Sequence, residues 1–406
     1  MKQRKILLGL ALLLCFLNGL VARAQDEPVP PVKQQQRPRR TQTTPNANEN
    51  VKAAATTDGP QEVGDDEVVR VNTQLVAVPA AVTDRNGRAL TNLKAENFLV
   101  YEDGKPQKIA NLSNADAPFE IALLLDTSGS TRADINLIRD AAKAFIASLR
   151  PGDRVALLAF SSNLATKGPQ TGIEVLQPLT DDREVLQKKL NALTNGYGTP
   201  FYDALLRTVN EVFREPPTPE INGRRALVAL TDGVDSASKS EFAPARAQLV
   251  KAGIAGYFVQ IDTEEFVEDR LMRDCRDNNG LRLSATQLQR FRKVFATRAD
   301  ADDLKDFCHL GTFARMEISR SLYKIARMEM TDLARISGGR VFPVQGLDEA
   351  ETAFAQVAAE IGTQYSLGYY SANKERDGKF RAIRVEIKGV PGAQVRAREG
   401  YVAPAN

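Results

Sequence analysis

Five oxygen-bearing residues at three separate points of the chain could together hold a cation. The segment EIALLLDTSGSTR (120–132) is an apolar run that closes on Asp126, with Ser128 and Ser130 following at alternate positions. NGYGTP (195–200) places Thr199 directly before a helical pattern, and LTDGVDS (230–236) places Asp232 after another apolar run. Two carboxylates and three hydroxyls, without His or Cys, are hard donors suited to a hard divalent cation. Mg²⁺ fits best, since it takes six oxygens and usually keeps some waters, with Mn²⁺ or Ca²⁺ as alternatives. Neutral hydroxyls are weak ligands, so such a site would stay electrophilic and accept a carboxylate from outside. Each loop alone has a plainer explanation. Ser128 or Ser130 could cap a following helix, Thr199 could do the same, and TDG is an ordinary turn. Only together, each at the end of an expected strand or start of a helix, do they read as one site.

The elements that must carry these loops alternate between strand and helix. EIALLLD (120–126), RVALLAF (154–160), RRALVALTD (224–232) and GIAGYFVQID (253–262) are apolar runs of the kind buried on both faces of a parallel sheet. Between them, Ile135, Ile138, Ala142, Phe145, Ile146 and Leu149 share one helical face. Further helices are expected over 181–193, 200–213, 241–252, 328–336 and 347–361, and a further strand at GRVFPV. The acids Asp181 and Asp182 suit the start of their helix. Repeated strand–helix units imply a doubly wound, mostly parallel sheet with helices on both faces.

The flanks are different. VVRVNTQLVAVPAAVTD alternates, RNGR is a hairpin signal, and NFLVYEDGKPQKIANLS reads as strand, turn and strand. After Thr363 three more strands are expected, with Ile383, Val385 and Ile387 on one face of the middle one. Neither flank can bury a core alone, so 67–117 and 363–406 are expected to pair as one small, β-sandwich-like domain around an α/β domain at 118–362. Residues 263–327 are highly charged and helix-forming, and read as an insertion between a strand and the helix that follows it. DADDLKD (300–306) lacks the central glycine and terminal glutamate of a calcium loop.

The D-x-S-x-S of the first loop, the lone threonine of GYGTP and the aspartate of TDG resemble the metal-ion-dependent adhesion site (MIDAS) of the von Willebrand factor type A domain. The likeness covers roughly 118–361 and is complete at Asp126, Ser128, Ser130, Thr199 and Asp232. It implies a Rossmann-like α/β fold. It also implies that the serines and threonine bind the metal directly or through water, the aspartates mostly through water. A partner's Asp or Glu side chain would complete the sphere. The stretch VTDRNGRALTNLKAENFLVYEDGKPQ and the ending YSLGYYS…DGKFRAIRVEIK…VRAREGY resemble the flanks of bacterial exported "VWFA-related domain" proteins, which implies an exported architecture. The long 263–327 segment departs from a minimal domain of this kind.

Export is also expected from the first residues. A basic start, the apolar stretch Ile6 to Leu20 and the Ala22-Arg23-Ala24 motif read as a signal peptide over 1–24. That stretch is shorter than the ~20 residues of a spanning helix, so no stable membrane span is expected after cleavage. Periplasm, cell surface and secretion are equally compatible with it. Removing Lys2, Arg4, Lys5 and Arg23 takes the formal charge of +3 to about −1, which gives no bulk attraction to nucleic acid. Residues 25–66, rich in Pro, Gln, Thr and Asn, read as a disordered linker. The two remaining cysteines, Cys275 and Cys308, both fall in the insertion. An oxidising compartment permits a disulfide between them, the alternative being two buried thiols.

Enzyme chemistry lacks parts. His309 is the only histidine, no H-E-x-x-H or phosphate-binding G-x-x-x-x-G-K occurs, and no base stands near Ser128 in sequence. The expectation is therefore an exported, non-enzymatic adhesion or binding protein engaging a protein ligand through a Mg²⁺ site. The alternative is an envelope scaffold or assembly factor with a structural metal, its contacts made by the insertion or the β domain. A hydrolase using the metal as Lewis acid is the weakest reading.

Overall fold

A computed structural model describes residues 75–113, 117–129, 135–163, 170–217, 221, 224–273, 281–295 and 307–405. The signal peptide and linker expected at the N-terminus, the first residues of the expected β domain (67–74), Ser130 and Cys275 lie outside these residues.

The chain first forms β1 (Leu75–Thr83), β2 (Phe98–Glu102), β3 (Lys105–Gln107) and β4 (Ile109–Ser113). The RNGR turn after β1 is closed by Asp84, whose carboxylate accepts from the backbone N–H groups of Asn86 and Arg88. The α/β part then runs β5 (Glu120–Asp126), α1 (Ile135–Ser148), β6 (Arg154–Asn163), β7 (Gln170–Thr180), α2 (Arg183–Asn191) and α3 (Phe201–Arg207). It continues with β8 (Arg225–Thr231), α4 (Phe242–Ala252), β9 (Ala255–Ile261), α5 (Glu264–Leu271), α6 (Ala285–Phe295), α7 (Thr312–Ser337), β10 (Arg340–Val344) and α8 (Ala350–Thr363). Four strands close the chain: β11 (Tyr365–Tyr370), β12 (Phe380–Ile387), β13 (Gln394–Ala397) and β14 (Gly400–Val402).

The central sheet has the order β10-β9-β8-β5-β6-β7. All its pairings are parallel except that of the edge strand β7 with β6. Every residue of β5 is buried, as a strand covered on both faces must be. Alternate side chains go to opposite layers. Ile121, Leu123 and Leu125 meet Ile138, Phe145 and Phe354 on the side of α1, α2 and α8. Ala122 and Leu124 meet Phe201, Leu249 and Leu333 on the side of α3, α4 and α7. At the amino end of the sheet, buried Glu120 accepts from Arg225 at 2.8 Å, so the strand that delivers Asp126 is anchored at its other end too.

Three features depart from the expected elements. The edge strand β7 had no counterpart in the sequence reading. The helix expected at 200–213 is present, but it is regular only over Phe201–Arg207 and continues as a π-helical turn at Thr208–Val212. The helix expected at 328–336 begins at Thr312 and runs 26 residues, so the insertion has no boundary at 327. The physical reason is a buried stripe that changes neighbours without breaking. Ile318, Leu322 and Ala326 pack on α5 and α6, and Met330 and Leu333 pack on the central sheet. As expected, Asp182 caps α2, accepting from Glu184 and Val185 N–H.

The two flanks interleave. Sheets of order β13-β1-β11-β4 and β14-β12-β2-β3 each take strands from both chain ends. They enclose a common core of Val76, Val78, Phe98, Val100, Leu367, Ile383 and Val385, with Ile387 only partly buried at its margin. The β13–β14 connection crosses the carboxyl end of α7, where Glu399 N–H donates to Ile336 O at 3.2 Å and Arg335 pairs with Glu399.

Candidate metal centre

Asp126 is the last residue of β5 and Asp232 the first after β8, so neighbouring parallel strands bring both carboxylates to one edge of the sheet. Both residues are buried, at 0% and 1% exposure. Asp126 Oδ1 accepts from Ser128 N–H at 2.9 Å, and its Oδ2 from Thr231 Oγ1 at 2.6 Å. Asp232 Oδ1 accepts from Val234 N–H at 3.0 Å, and its Oδ2 from Thr263 Oγ1 at 2.8 Å. Burial, and next the nearby Asp232 carboxylate, raise the Asp126 carboxyl above the ordinary carboxylate range. Hydrogen bonds from Ser128 and Thr231 work against that rise.

The second loop is tied to the first and the third. Gly196 N–H donates to Thr127 O at 2.7 Å, while Thr127 N–H donates to Phe160 O at 3.1 Å. Thr199 N–H donates to Ser236 Oγ at 2.8 Å, and Ser236 N–H returns a bond to Thr199 O at 2.9 Å. The Thr199 side chain does not cap α3. The N-terminal donors of that helix are met by the third loop instead, Tyr202 N–H by Asp235 Oδ2 and Asp203 N–H by Ser238 Oγ. The capping reading of Thr199 therefore fails. Asp235 is itself buried, and burial pushes its carboxyl up to about 7 against the pull of its bonds from Ser238.

Asp126, Ser128, Thr199 and Asp232 thus stand on three loops bound to one another, with Ser130 outside the described residues. Among the described residues no group of three or more His, Cys, Asp or Glu side chains could hold a metal. A cation here would depend on two carboxylates, hydroxyls and water, a donor set that fits a hard divalent ion. Two buried like charges are costly together, and a cation between them offsets that cost.

Several participants were not singled out in the sequence. Thr231 and Ser236 sit inside LTDGVDS, and Ser238 just after it, so the density of hydroxyls there was the available signal. Thr263 follows the carboxyl end of β9, a position where loops of such sheets meet ligands. Tyr323, whose hydroxyl lies 2.6 Å from Thr263 Oγ1, is 60 residues away in α7 and had no local signal. Burial and the Asp232 charge hold its hydroxyl proton well above the usual tyrosine range. Cys308 is exposed on the turn Phe307–His309, so the alternative of two buried thiols fails at that position. His309 is exposed beside it.

No curated protein matches the chain. Among solved structures, the conserved hypothetical protein BatB from Bacteroides thetaiotaomicron is 14% identical, covering 60% of this chain and 98% of that one with a TM-score of 0.37. A von Willebrand factor type A structure from Catenulispora acidiphila is 11% identical, covering 82% of this chain and 75% of that one with a TM-score of 0.39. Proximal thread matrix protein 1 from the mussel byssus, described with a zinc-occupied MIDAS motif, is 14% identical, covering 64% of this chain and 49% of that one with a TM-score of 0.39. The family model for the von Willebrand factor type A domain matches residues 121–234, the stretch that runs from β5 through the loops of Ser128, Thr199 and Asp232. Within the α/β part, residues 121–234 thus match the von Willebrand factor type A domain.

Proposed function

We propose that this is an exported, non-enzymatic binding protein that engages an acidic protein ligand through Mg²⁺ held by Asp126, Ser128, Ser130, Thr199 and Asp232. Domains of this family serve protein–protein interaction and commonly bind a metal. The observation that carries the reading is the pair of buried carboxylates, Asp126 and Asp232, on loops bound to each other and to the loop of Thr199. The hydroxyls of Ser128 and Thr199 add neutral oxygens at the same edge. When bound, the metal would supply a positive centre to which an external carboxylate can attach. The protein's own part is to hold the carboxylates apart from bulk water on loops bound to one another. Export rests on the signal-like N-terminus, and among the described residues no helix is long and apolar enough to cross a membrane.

Calorimetric titration with Mg²⁺ tests the centre: wild type binds and Asp126→Ala does not. Equal binding by both would sink the assignment. Capture of envelope proteins on the immobilised chain, with and without EDTA, tests the ligand. Partners that depend on the metal release in EDTA.

One observation favours the scaffold reading as a second choice. Phe313 of α7 is 88% exposed, beside Met316 on a shallow surface that also includes Arg320 and Lys324. Partners lost in Phe313→Asp but retained in EDTA would shift the function to that face.

A further inference from the structure

The expected insertion 263–327 departs from a minimal domain of this family; its described helices α5, α6 and the first part of α7 form a helical arm whose hydrogen bonds lead back to the metal centre. Thr263 has one hydroxyl proton and gives it to Asp232 Oδ2 at 2.8 Å. Tyr323 Oη, 2.6 Å from the same Thr263 oxygen, must then be the donor in their bond. The result is a directed chain, Tyr323 to Thr263 to Asp232, with all three residues buried. The other oxygen of Asp232 is taken by Val234 N–H, so both oxygens of the carboxylate are oriented. On the far side of the same loop, Ser284 Oγ donates to Ser236 O at 2.7 Å, and Ser236 is the residue that exchanges two bonds with Thr199. Between these points Val234 packs into the core of the helical arm with Leu283, Leu322 and Tyr323. The loop that carries Asp232 is therefore held by the arm on two sides.

We propose that the helical arm of α5, α6 and α7 is part of the framework of the metal centre, with Thr263 and Tyr323 as positioning residues for Asp232 and Ser284 as a positioning residue for Thr199. This inference rests on the Mg²⁺ reading above and adds to it a link between occupancy of the centre and the packing of α7. Groups that orient metal ligands without touching the metal commonly matter for affinity almost as much as the ligands do. A tyrosine that acts only through Thr263 also has a recognisable signature, because its effect vanishes once the threonine hydroxyl is gone.

The test is Mg²⁺ calorimetry on the full chain with Tyr323→Phe, Thr263→Val, the double variant, Thr263→Ser and Ser284→Ala. Tyr323→Phe is expected to weaken Mg²⁺ binding about 10-fold and Thr263→Val at least as much. The double variant should match Thr263→Val alone, and Thr263→Ser, which keeps the hydroxyl, should bind like wild type. Ser284→Ala removes the bond to Ser236 O together with the acceptor for Gln287 N–H at the start of α6, and is expected to weaken binding a few-fold, about 3-fold, with circular dichroism checking that α6 is retained. Hydrogen exchange gives a second readout: Mg²⁺ should slow exchange of α7 amides around Tyr323 in wild type and not in Tyr323→Phe. If Asp126→Ala abolishes Mg²⁺ binding while Tyr323→Phe binds as wild type does, the positioning role is overturned and the metal centre stands. Independent, multiplying losses in the double variant also overturn it. If wild type and Asp126→Ala respond to Mg²⁺ alike, the centre and this inference fall together.

Discussion

Thr231 Oγ1 stands 2.6 Å from Asp126 Oδ2, at the carboxyl ends of two adjacent parallel strands, and accepts at 2.9 Å from Gly233 N–H. One hydroxyl thereby serves a buried carboxylate and the backbone of the loop that carries the other. Thr231→Val keeps the shape and removes both services. The expected cost is about 1–3 kcal/mol, the usual result of leaving buried polar groups without a partner. Urea denaturation in EDTA measures it, and Thr231→Ser should recover most of the loss.

Asp126→Asn should move stability in opposite directions with and without metal. In EDTA at pH 8 the charged Asp126 is disfavoured by burial and by Asp232. Neutralising it should raise the unfolding free energy by about 1–3 kcal/mol, the scale set by a carboxyl displaced from its ordinary range. The same variant should lose the rise in melting temperature that Mg²⁺ gives to wild type. Melting curves in EDTA and in excess Mg²⁺ measure both effects.

Asp235 gives a pH prediction. Its carboxyl is raised to about 7 in the folded protein, chiefly by burial. Between an unfolded value near 4 and that folded value, the unfolded chain releases a proton that the folded chain keeps. The associated stability is therefore fully present below about pH 4 and is lost as pH rises through about 7. The stability difference between wild type and Asp235→Asn in EDTA should shift against wild type from pH 4.5 to 7.5, by an amount on the order of 3 kcal/mol. A difference that stays constant over this window would contradict the raised value.

Gly338 and Gly253 end α7 and α4 in left-handed conformations, and both lie against Arg398. A side-chain carbon at Gly338 would stand 2.5 Å from the backbone nitrogen of Arg398, whereas at Gly253 it would meet the end of the Arg398 guanidinium at 2.8 Å. The guanidinium can move and the backbone cannot. Gly253→Ala should cost about 1 kcal/mol from its backbone conformation. Gly338→Ala should cost more, about 3 kcal/mol, because it also forces the β13–β14 segment off α7. Denaturation midpoints of the two variants measure the contrast.

Much of the fold was legible because its signals are local. The apolar runs at 120–126, 154–160, 224–232 and 253–262 each contain a core strand, since a strand covered on both faces has no polar side to show. Asp126, Ser128 and Asp232 stood out because they sit at or just beyond the ends of two of those runs, and Thr199 because it directly precedes a helical pattern. The edge strand β7 was hidden by its mixed polarity, as an edge with one covered face permits. The full length of α7 was hidden by its charge, because only the three-dimensional packing reveals that one stripe serves two different cores.

By itself, the sequence determined the alternation of core strands and helices apart from β7, the loops that would carry oxygen donors, and the β character of both flanks, all of which follow from periodicity and turn chemistry within short windows. Tertiary structure alone decided which hydroxyls serve the carboxylates and which helices hold the loops. Thr231, Thr263 and Tyr323 matter through hydrogen bonds a few ångströms long between residues up to 105 positions apart. Hydrogen bonds of that kind depend on how strands are ordered in the sheet and on where a helix lies across it, and no local pattern of residues encodes either.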